Sequence, residues 1–351
     1  MAGSRTDFHP LTVARVDPLT DDSAAVTFDV PPGLAGRFAF APGQSLTVRR
    51  GDERRSYSIC AARGRAPRIG VREVAGGAVS GWLVHEVRAG DVIEVQAPSG
   101  SFTPDLDVPG HHVLIAAGSG ITPVLSIASS LLAAQDKSSV TLIYGNRRND
   151  SVMFADEIAD LKDAYPARTC LVHVLSREPQ EVELFSGRLD AAKLRTLLPV
   201  TVDVAAVDHW WLCGPFGLVE SAIGLLAELG VPRGRVHREL FYVEDTPPAQ
   251  ATHAEATAGP GAEVTVLLDG RSSTVTVPHG TAVLDGAQRV RPDLPFACKG
   301  GVCGTCRALL VDGEVTMRRN YALEQEELDA GYILTCQSLP VSDQITVDYD
   351  A

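Results

Sequence analysis

The chain has 351 residues, of which 45% are hydrophobic and 21% are charged, and this composition is typical of a folded globular protein. Its 32 glycines and 22 prolines are too few for a collagen-like or low-complexity chain. The formal net charge is −13, and no large basic cluster interrupts the acidic composition, which excludes a nucleic-acid-binding surface. At about 150 residues per domain, the length predicts two to three domains.

One uncharged stretch is long enough to cross a bilayer, since it runs for 22 residues from Val113 to Ala134. Gly118-Ser119-Gly120 and Pro123 interrupt it, which is the pattern of a buried strand, a glycine turn and a packed helix. The first residues contain no apolar segment of the kind that directs secretion. We therefore expect no membrane insertion and a cytoplasmic protein.

Residues 10–102 contain six short apolar runs separated by Gly, Pro and Asp turns. This pattern predicts a small antiparallel β-barrel. One helix interrupts it, from about Ser80 to Val87, with Ser80 as the N-cap. The six predicted strands are Leu11–Val16, Ala24–Val30, Gln44–Arg49, Tyr57–Ala61, Arg68–Val74 and Asp91–Gln96.

From about His111 the sequence alternates between strand and helix patterns. Such alternation predicts an α/β domain with a doubly wound parallel sheet. The predicted strands are Val113–Ala117, Val140–Tyr144, Thr169–Leu175 and Trp210–Cys213, and the predicted helices are Pro123–Ala134, Phe154–Asp163 and Gly217–Leu229.

A Pro-, Ala- and Thr-rich segment, Glu244–Ala262, has no apolar periodicity and is predicted to be a mobile linker that lets the C-terminal domain swing. After it, Val264–Leu268 and Ser273–Val277 flank Asp269-Gly270, which predicts a hairpin. The predicted domains are therefore residues 1–107, 108–243 and 263–351, with the linker at 244–262. The acidic segment Leu323–Asp329 is interpreted as a solvated helix face rather than a docking patch.

Four of the seven cysteines form a motif near the C-terminus, Cys298, Cys303, Cys306 and Cys336. Their spacing, C-x4-C-x2-C-x29-C, is the plant-type [2Fe–2S] pattern. Glycines in the loop let backbone N–H groups turn toward the sulfur atoms. A tetrahedral zinc site is the alternative, but zinc ribbons use two C-x2-C pairs. We expect these four thiolates to bind a [2Fe–2S] cluster.

Arg55-Ser56-Tyr57-Ser58 lies at the start of a predicted barrel strand. Alternation places Arg55 and Tyr57 on one face and Ser58 on the other. A guanidinium group can bind a pyrophosphate, a tyrosine ring can stack on a flavin, and a serine hydroxyl can approach the reactive flavin nitrogen. Gly76-Gly77-Ala78-Val79-Ser80 then opens the predicted helix, whose N-terminus can hold the same pyrophosphate. The alternative is a charged edge strand with a capping serine.

Two glycine-containing segments follow predicted parallel strands. Gly118-Ser119-Gly120-Ile121-Thr122-Pro123 has glycines that allow a ligand to approach the backbone and a proline suited to the first helical turn. Cys213-Gly214-Pro215 ends another strand, at the edge where such sheets bind ligands. The alternatives are a tight turn without a ligand and, for Cys213, a buried core thiol.

In this order, the motifs resemble those of the ferredoxin–NADP reductase superfamily, followed by a plant-type ferredoxin domain. Within that superfamily the chain is most similar to the reductase subunits of phenylacetyl-CoA epoxidase complexes, over essentially its whole length. The segments that carry this similarity are Phe8–Val13, Arg55–Cys60, Tyr144–Arg147, Ala297–Cys303, Asn320-Tyr321 and Gly331–Gln337.

The resemblance implies a multidomain protein with an antiparallel β-barrel that binds FAD, an α/β doubly wound domain that binds NAD(P)H, and a β-grasp (α+β) ferredoxin domain. It implies catalytic roles for Ser58, Cys213 and Glu239. The implied flavin contacts are Arg55, Tyr57, Ser58, Val71, Glu73, Gly77, Val79, Ser80 and Phe241. The implied nicotinamide contacts are Gly118, Gly120, Thr122, Pro123, Gly214 and Pro215.

The choice between NADPH and NADH depends on arginines beyond two strand ends. Arg147 follows Val140–Tyr144, and Ser176-Arg177 follows Thr169–Leu175. The Ser-Arg pair resembles the 2′-phosphate site of plant-type reductases, and a guanidinium suits a dianionic phosphate. The alternative is a set of solvated loop arginines. We expect NADPH, with NADH possible.

The resemblance implies an enzyme that passes electrons from NAD(P)H through FAD and the cluster to a di-iron oxygenase, because an oxygenase iron site accepts electrons singly. One alternative is the reductase of a Rieske-type or other ring or steroid hydroxylase. A second alternative, a redox sensor without turnover, would need a signalling module, and no residues remain for one.

Overall fold

The computed structural model describes residues 7–51, 53–241, 261–296, 298–323 and 325–351. The chain divides into two compact units. One contains His9–Arg50 and Tyr57–Phe241, and the other contains the C-terminal part of the chain together with Gly51–Ser56. Residues 244–260 of the predicted linker lie outside the described part. Gly261 and Ala262, also assigned to the linker, instead begin a strand.

Six strands form the first sheet, with the order β4-β3-β6-β1-β2-β5. An isolated antiparallel bridge between Ile59, just after β4, and Ile69 of β5 joins the two ends of this order, which closes the sheet as a barrel. Tyr57–Ala61 was predicted as a strand, but β4 ends at Ser58. The strands are β1 (Phe8–Thr20), β2 (Ser23–Asp29), β3 (Ser45–Arg50), β4 (Glu53–Ser58), β5 (Arg68–Arg72) and β6 (Val92–Gln96).

Helix α1 (Ala78–His85) follows the barrel strand β5, and it begins two residues before the predicted position. The prediction of Ser80 as N-cap is wrong, because the extended residue before the helix is Gly77. The Ser80 hydroxyl lies inside the first turn and accepts a hydrogen bond from the Val74 N–H at 3.1 Å. The serine therefore fixes the loop that enters the helix.

The second sheet is parallel and five-stranded, with the order β11-β10-β7-β8-β9. This confirms the predicted α/β domain. Its strands are β7 (His111–Ala117), β8 (Ser139–Asn146), β9 (Thr169–Leu175), β10 (His209–Gly214) and β11 (Val236–Leu240). Its helices are α2 (Ile121–Ala134), α3 (Ala155–Ala164), α4 (Ala191–Thr201) and α5 (Phe216–Glu228).

Helix α4 is one of the elements that the sequence analysis did not predict. It contains Pro199, which ordinarily ends a helix, but this residue lies in the last turn. The helix begins at Asp190, whose side chain accepts a hydrogen bond from the Lys193 N–H at 2.9 Å. Leu194, Leu197 and Leu198 are buried. A good N-cap and a leucine face therefore stabilise the helix despite the proline.

The C-terminal sheet has the order β13-β12-β18-β14-β16, and β12 pairs with β13 antiparallel and with β18 parallel. The predicted hairpin is confirmed. The strands are β12 (Gly261–Leu268), β13 (Arg271–Pro278), β14 (Arg307–Asp312), β15 (Val315–Met317), β16 (Tyr332–Leu334), β17 (Ser338–Pro340) and β18 (Gln344–Asp348), with short helices α6 (Val283–Ala287) and α7 (Gln325–Asp329). Across the described residues, no helix combines the length and apolarity needed to span a membrane.

Arg54 is a buried charged side chain in the same unit as this sheet. Its guanidinium group donates to the carbonyl oxygens of Leu294 at 3.1 Å and Pro292 at 3.0 Å. It also lies 4.7 Å from the centroid of the Phe296 ring. These contacts satisfy a charge that would be costly to bury alone.

Candidate functional site

The four predicted cluster cysteines lie within a single loop-and-strand region of the C-terminal unit. None of the four forms a disulfide; Cys306 and Cys336 are buried, and Cys298 and Cys303 are partly buried. The backbone N–H of Gly300 donates to the Cys298 Sγ at 3.3 Å. The Cys303 thiol and backbone hydrogen bonds lower the pKa of Cys298 to about 6. The loop therefore stabilises a thiolate before any metal is considered.

Cys303 is the main cause of the lowered pKa of Cys298, and Cys336 is the main cause of the raised pKa of Cys306. In the described part of the chain, no three Cys, His, Asp or Glu side chains converge as ligands of one metal ion. A tetrahedral zinc ion needs such convergence, whereas each iron of a [2Fe–2S] cluster takes two cysteine thiolates. A set of four cysteine thiolates, two for each iron, fits a binuclear cluster.

Residues behind the cysteines hold the two segments together. The Thr335 hydroxyl donates to the Cys306 carbonyl oxygen at 2.9 Å and accepts from the Tyr349 hydroxyl at 2.7 Å. The Gln337 side-chain amide contacts both the Lys299 carbonyl oxygen and the Cys336 sulfur. The sequence analysis assigned no role to these three residues. Tyr349, for example, acts through Thr335 on Cys306, which is distant in the chain.

The three predicted catalytic residues come together in the other unit. The Ser58 hydroxyl donates to Glu239 Oε2 at 3.2 Å, and Cys213 lies beside Glu239 on the neighbouring strand. Burial raises the pKa of Glu239 to about 8, and the Ser58 hydrogen bond opposes this rise. Burial also raises the pKa of the Cys213 thiol well above its usual value. At neutral pH this site therefore holds a neutral thiol and a carboxyl group that retains its proton.

The N-terminus of α1 is suited to a diphosphate. No side chain caps it, and Gly77 leaves no room for a Cβ atom, which would lie 2.6 Å from the Ser80 Oγ. An uncapped helix start offers N–H donors and a positive dipole end to an anion. The predicted contacts Val71 and Val79 have buried side chains that pack in the barrel core.

Other predicted flavin contacts have local partners. The Arg55 guanidinium group pairs with Glu53 at 2.6 Å and donates to the Arg54 carbonyl oxygen. A bound pyrophosphate would compete with Glu53 for it. The Glu73 carboxylate contacts the His85 ring nitrogen at 2.8 Å. The Tyr57 ring is partly buried against the barrel core.

Phe241 packs against the core cluster that contains Cys213 and Cys60. Phe241 directly follows the last residue of β11 in the chain.

The two glycine-containing segments meet at the carboxyl ends of β7 and β10. A Cβ atom on Gly120 would lie 2.2 Å from the Cys213 carbonyl oxygen, so only glycine allows this approach. Gly118 has φ +55°, and its carbonyl oxygen accepts a hydrogen bond from the Tyr144 hydroxyl at 2.9 Å. The turn and the Cys213-Gly214-Pro215 segment therefore form one rigid edge of the sheet.

The side chains of Thr122 and Pro123 are buried at the start of α2. The Thr122 hydroxyl donates to the Ser119 carbonyl oxygen at 2.9 Å. A ligand that accepts a hydrogen bond from the Thr122 hydroxyl would therefore compete with the Ser119 carbonyl oxygen.

The arginines predicted to select NADPH lie on adjacent exposed loops. β8 and β9 are parallel neighbours, and the Arg177 N–H donates to the Arg147 carbonyl oxygen at 2.8 Å. The Ser176 N–H and hydroxyl both contact the Asn146 carbonyl oxygen. Both guanidinium groups are exposed, at the edge of the sheet where nucleotides bind.

Comparisons with known proteins define the class. Residues 114–223 match the model of the oxidoreductase NAD-binding domain, and residues 266–341 match that of the 2Fe-2S iron-sulfur cluster binding domain. The solved structure of phthalate dioxygenase reductase, described as a modular structure for electron transfer from pyridine nucleotides to [2Fe–2S], has a TM-score of 0.59 and 25% identity, covering 97% of this chain and 98% of that one. The protein is an NAD(P)H-dependent oxidoreductase with an iron–sulfur domain.

Curated relatives narrow this class. The chain is 40% identical to a 1,2-phenylacetyl-CoA epoxidase subunit of Escherichia coli K12, over 99% of both chains. It is 37% identical to the ferredoxin reductase component of the 3-ketosteroid-9-alpha-monooxygenase of Mycobacterium tuberculosis, over 97% of this chain and 95% of that one. The chain belongs to the family of oxygenase reductase components that includes these proteins.

The family confirms the expected fold class and the expected resemblance to epoxidase reductase subunits. The cofactors are NAD(P)H, FAD and a [2Fe–2S] cluster. Relatives of the chain work with oxygenase partners. A redox sensor without turnover is therefore not the class to which this chain belongs.

Proposed function

We propose that the protein is the reductase component of a phenylacetyl-CoA 1,2-epoxidase, which supplies electrons from NADPH to a di-iron oxygenase during aerobic phenylacetate degradation. The observation that carries this proposal is the 40% identity to the epoxidase subunit of Escherichia coli over 99% of both chains. An iron–sulfur site favours action in the reducing cytoplasm, where cysteine thiols are kept reduced.

The proposed domains are residues 1–107 for FAD, 108–243 for the nicotinamide nucleotide and 263–351 for the cluster, joined by 244–262. When bound, FAD takes two electrons from the nicotinamide as hydride and passes them on singly through the [2Fe–2S] cluster. The protein's own residues have to position the nucleotide, exclude water and manage one proton.

We assign the proton to the Glu239 carboxyl group. Its pKa of about 8 keeps it mostly protonated at neutral pH, and Ser58 is within hydrogen-bond distance. The Ser58 hydroxyl can relay this proton from Glu239, and the carboxylate that remains has to be reprotonated from solvent, since Glu239 is only partly buried. Cys213 stays a neutral thiol at the strand end and shapes the surface against which a nicotinamide ring can lie.

The remaining residues are assigned to binding. The α1 N-terminus with Gly77, Val79 and Ser80, and Arg55 after displacement of Glu53, would hold the flavin pyrophosphate. Tyr57 and Phe241 would contact the flavin ring. The rigid edge formed by Gly118, Gly120, Gly214 and Pro215 would seat the nicotinamide. Arg147, Ser176 and Arg177 would bind the 2′-phosphate.

The proposal is tested by reconstitution with candidate oxygenases. The protein is co-expressed with the oxygenase subunits of a phenylacetyl-CoA epoxidase, and NADPH-driven consumption of phenylacetyl-CoA is measured. The expected result is turnover that requires this protein. The 37% identity to a ketosteroid monooxygenase reductase makes that oxygenase the second candidate. Turnover with the steroid system alone would leave the reductase class intact and contradict the epoxidase assignment.

A further inference from the structure

Gln337 directly follows the last cluster cysteine, and its side chain is buried, with 5% of the residue exposed. Its amide nitrogen lies 2.8 Å from the Lys299 carbonyl oxygen and 3.6 Å from the Cys336 Sγ. Both distances are those of hydrogen bonds, the second being long because sulfur is a large acceptor. One side chain therefore connects the cysteine loop to the sulfur of the distant fourth cysteine.

The orientation of this amide group is fixed by its neighbours. A carbonyl oxygen accepts hydrogen bonds and cannot donate them, so the Lys299 contact requires the NH2 group of Gln337 rather than its oxygen. The second N–H of the same group is then directed toward the Cys336 sulfur, which is also an acceptor. An inverted amide would place its oxygen against two acceptors, which is unfavourable.

The Gln337 side chain is also held by packing. A Cβ atom on Gly301 would lie 3.0 Å from the Gln337 Cγ, so the absence of a side chain at Gly301 makes room for the glutamine. Gly301 has φ +80°, a conformation that favours glycine. The Gln337 backbone carbonyl oxygen accepts from the Arg318 N–H at 2.9 Å. The amide therefore has little freedom to leave the sulfur.

We propose that Gln337 is a positioning residue that raises the reduction potential of the cluster, by donating a side-chain N–H···S hydrogen bond to the Cys336 ligand. This inference rests on the cluster assignment. A reduced cluster carries one more negative charge, and its sulfur ligands accept hydrogen bonds more strongly. A donor at the sulfur therefore stabilises the reduced state more than the oxidised one.

The test is a redox titration of the full-length protein under anaerobic conditions, with the EPR signal of the reduced cluster as the readout. Gln337→Leu removes the donor, and Gln337→Glu keeps the length of the side chain but adds negative charge. For Gln337→Leu we expect about a tenfold loss in the equilibrium constant for reduction, equivalent to about 59 mV for one electron. Gln337→Glu should shift the potential at least as far.

Gln344→Leu is the matched control, because Gln344 is an exposed glutamine of strand β18 in the same unit of the chain. Its potential should equal that of the unchanged protein. Iron and sulfide content and the thermal unfolding temperature are measured for each variant, because a merely structural role of Gln337 would change these quantities and not the potential. Lower cluster content with an unchanged potential in both Gln337 variants would overturn the proposal. If the protein without substitutions contained no iron and no sulfide, the assignment of a [2Fe–2S] cluster would be wrong.

A second measurement does not require the variants to assemble a cluster. Protein labelled with ¹⁵N only in glutamine side-chain amides is reduced, and electron spin echo modulation is recorded. A ¹⁵N nucleus weakly coupled to the cluster supports the proposal. Its absence from the unchanged, cluster-containing protein would overturn the proposal whatever the variants do.

Discussion

At the residue scale, the fold changes the pKa of Glu239, the residue to which we assign the proton. A carboxyl group in water ionises near pH 4, but burial of Glu239 raises its pKa to about 8. The Ser58 hydroxyl limits this rise by donating to the carboxylate. The balance between these two effects places the pKa of Glu239 within about one unit of neutral pH.

Ser58→Ala should therefore raise the pKa of Glu239 further. We expect the pH dependence of flavin reduction by NADPH to move to higher pH, and the rate to fall by about 2- to 10-fold for one lost hydrogen bond. Glu239→Gln should remove this inflection from the profile. Stopped-flow absorbance measures both effects, with Ser101→Ala, an exposed hydroxyl, as the control. Identical profiles in all four proteins would remove Glu239 from proton handling.

The cluster cysteines allow the two redox sites to be separated. Cys303→Ser removes one of the four cysteine thiolates, so the cluster should be lost and reduction of one-electron protein acceptors abolished. Ferricyanide reduction by the flavin should be largely kept. Cys170→Ser, at an exposed cysteine of β9, is the control. Equal loss of both activities in Cys303→Ser would indicate unfolding rather than an interrupted electron path.

At the scale of elements, the proposed choice of nucleotide depends on the ends of β8 and β9. Arg177→Ala should raise KM for NADPH and leave KM for NADH nearly unchanged. One lost charge-assisted phosphate contact is worth roughly 1.5–3 kcal/mol, or about 10- to 150-fold. Arg195→Ala is the control, because Arg195 is an exposed arginine paired with Glu228. An equal change for both nucleotides would contradict the 2′-phosphate role.

Strands β7, β10 and β11 bring together an aromatic stack with no assigned function. The Trp211 indole N–H donates to the His112 Nδ1 at 3.2 Å, and the Trp211 and His237 rings stack with centroids 4.1 Å apart. Burial, assisted by His209, lowers the pKa values of His112 and His237 to about 4. The neutral histidines are therefore part of the folded sheet.

This stack predicts acid sensitivity. The unfolded chain takes up protons at these histidines near pH 6.5, whereas the folded chain does so only near pH 4. The free energy of unfolding should therefore fall as the pH decreases between these values. His112→Gln keeps an acceptor for Trp211 and should reduce this slope by up to about 1.4 kcal/mol per pH unit. Urea unfolding followed by tryptophan fluorescence measures it, and equal slopes would contradict the assignment.

The elements show why part of the fold was predictable. The apolar run Val113–Ala117 is a local pattern, and it correctly predicted a strand, since it lies within β7. Helix α4 was not predicted because Pro199 normally argues against a helix. The Asp190 cap and the buried leucines stabilise the helix nevertheless. Ser80 was assigned the wrong role because its hydroxyl serves a backbone N–H six residues earlier, which depends on how the loop folds back.

The site likewise has a part that the sequence predicted and a part that it did not. The cysteine spacing is local information, and it was enough to indicate the cluster. The contacts of Gln337 with Lys299 and of Thr335 with Cys306 join residues far apart in the chain, so no spacing rule reveals them. Ser58 and Glu239 are 181 positions apart, and the family resemblance implied a catalytic role for each of them but not the hydrogen bond between them.

At the scale of the whole molecule, the central claim is that one chain carries both a two-electron flavin and a one-electron cluster. The most direct measurement is an anaerobic titration with NADPH, followed by flavin absorbance and by the EPR signal of the reduced cluster. Two electrons for the flavin and one for the cluster predict an endpoint near about 1.5 equivalents of NADPH, with both signals changing. An endpoint at about one equivalent, with bleached flavin and no cluster signal, would contradict the account.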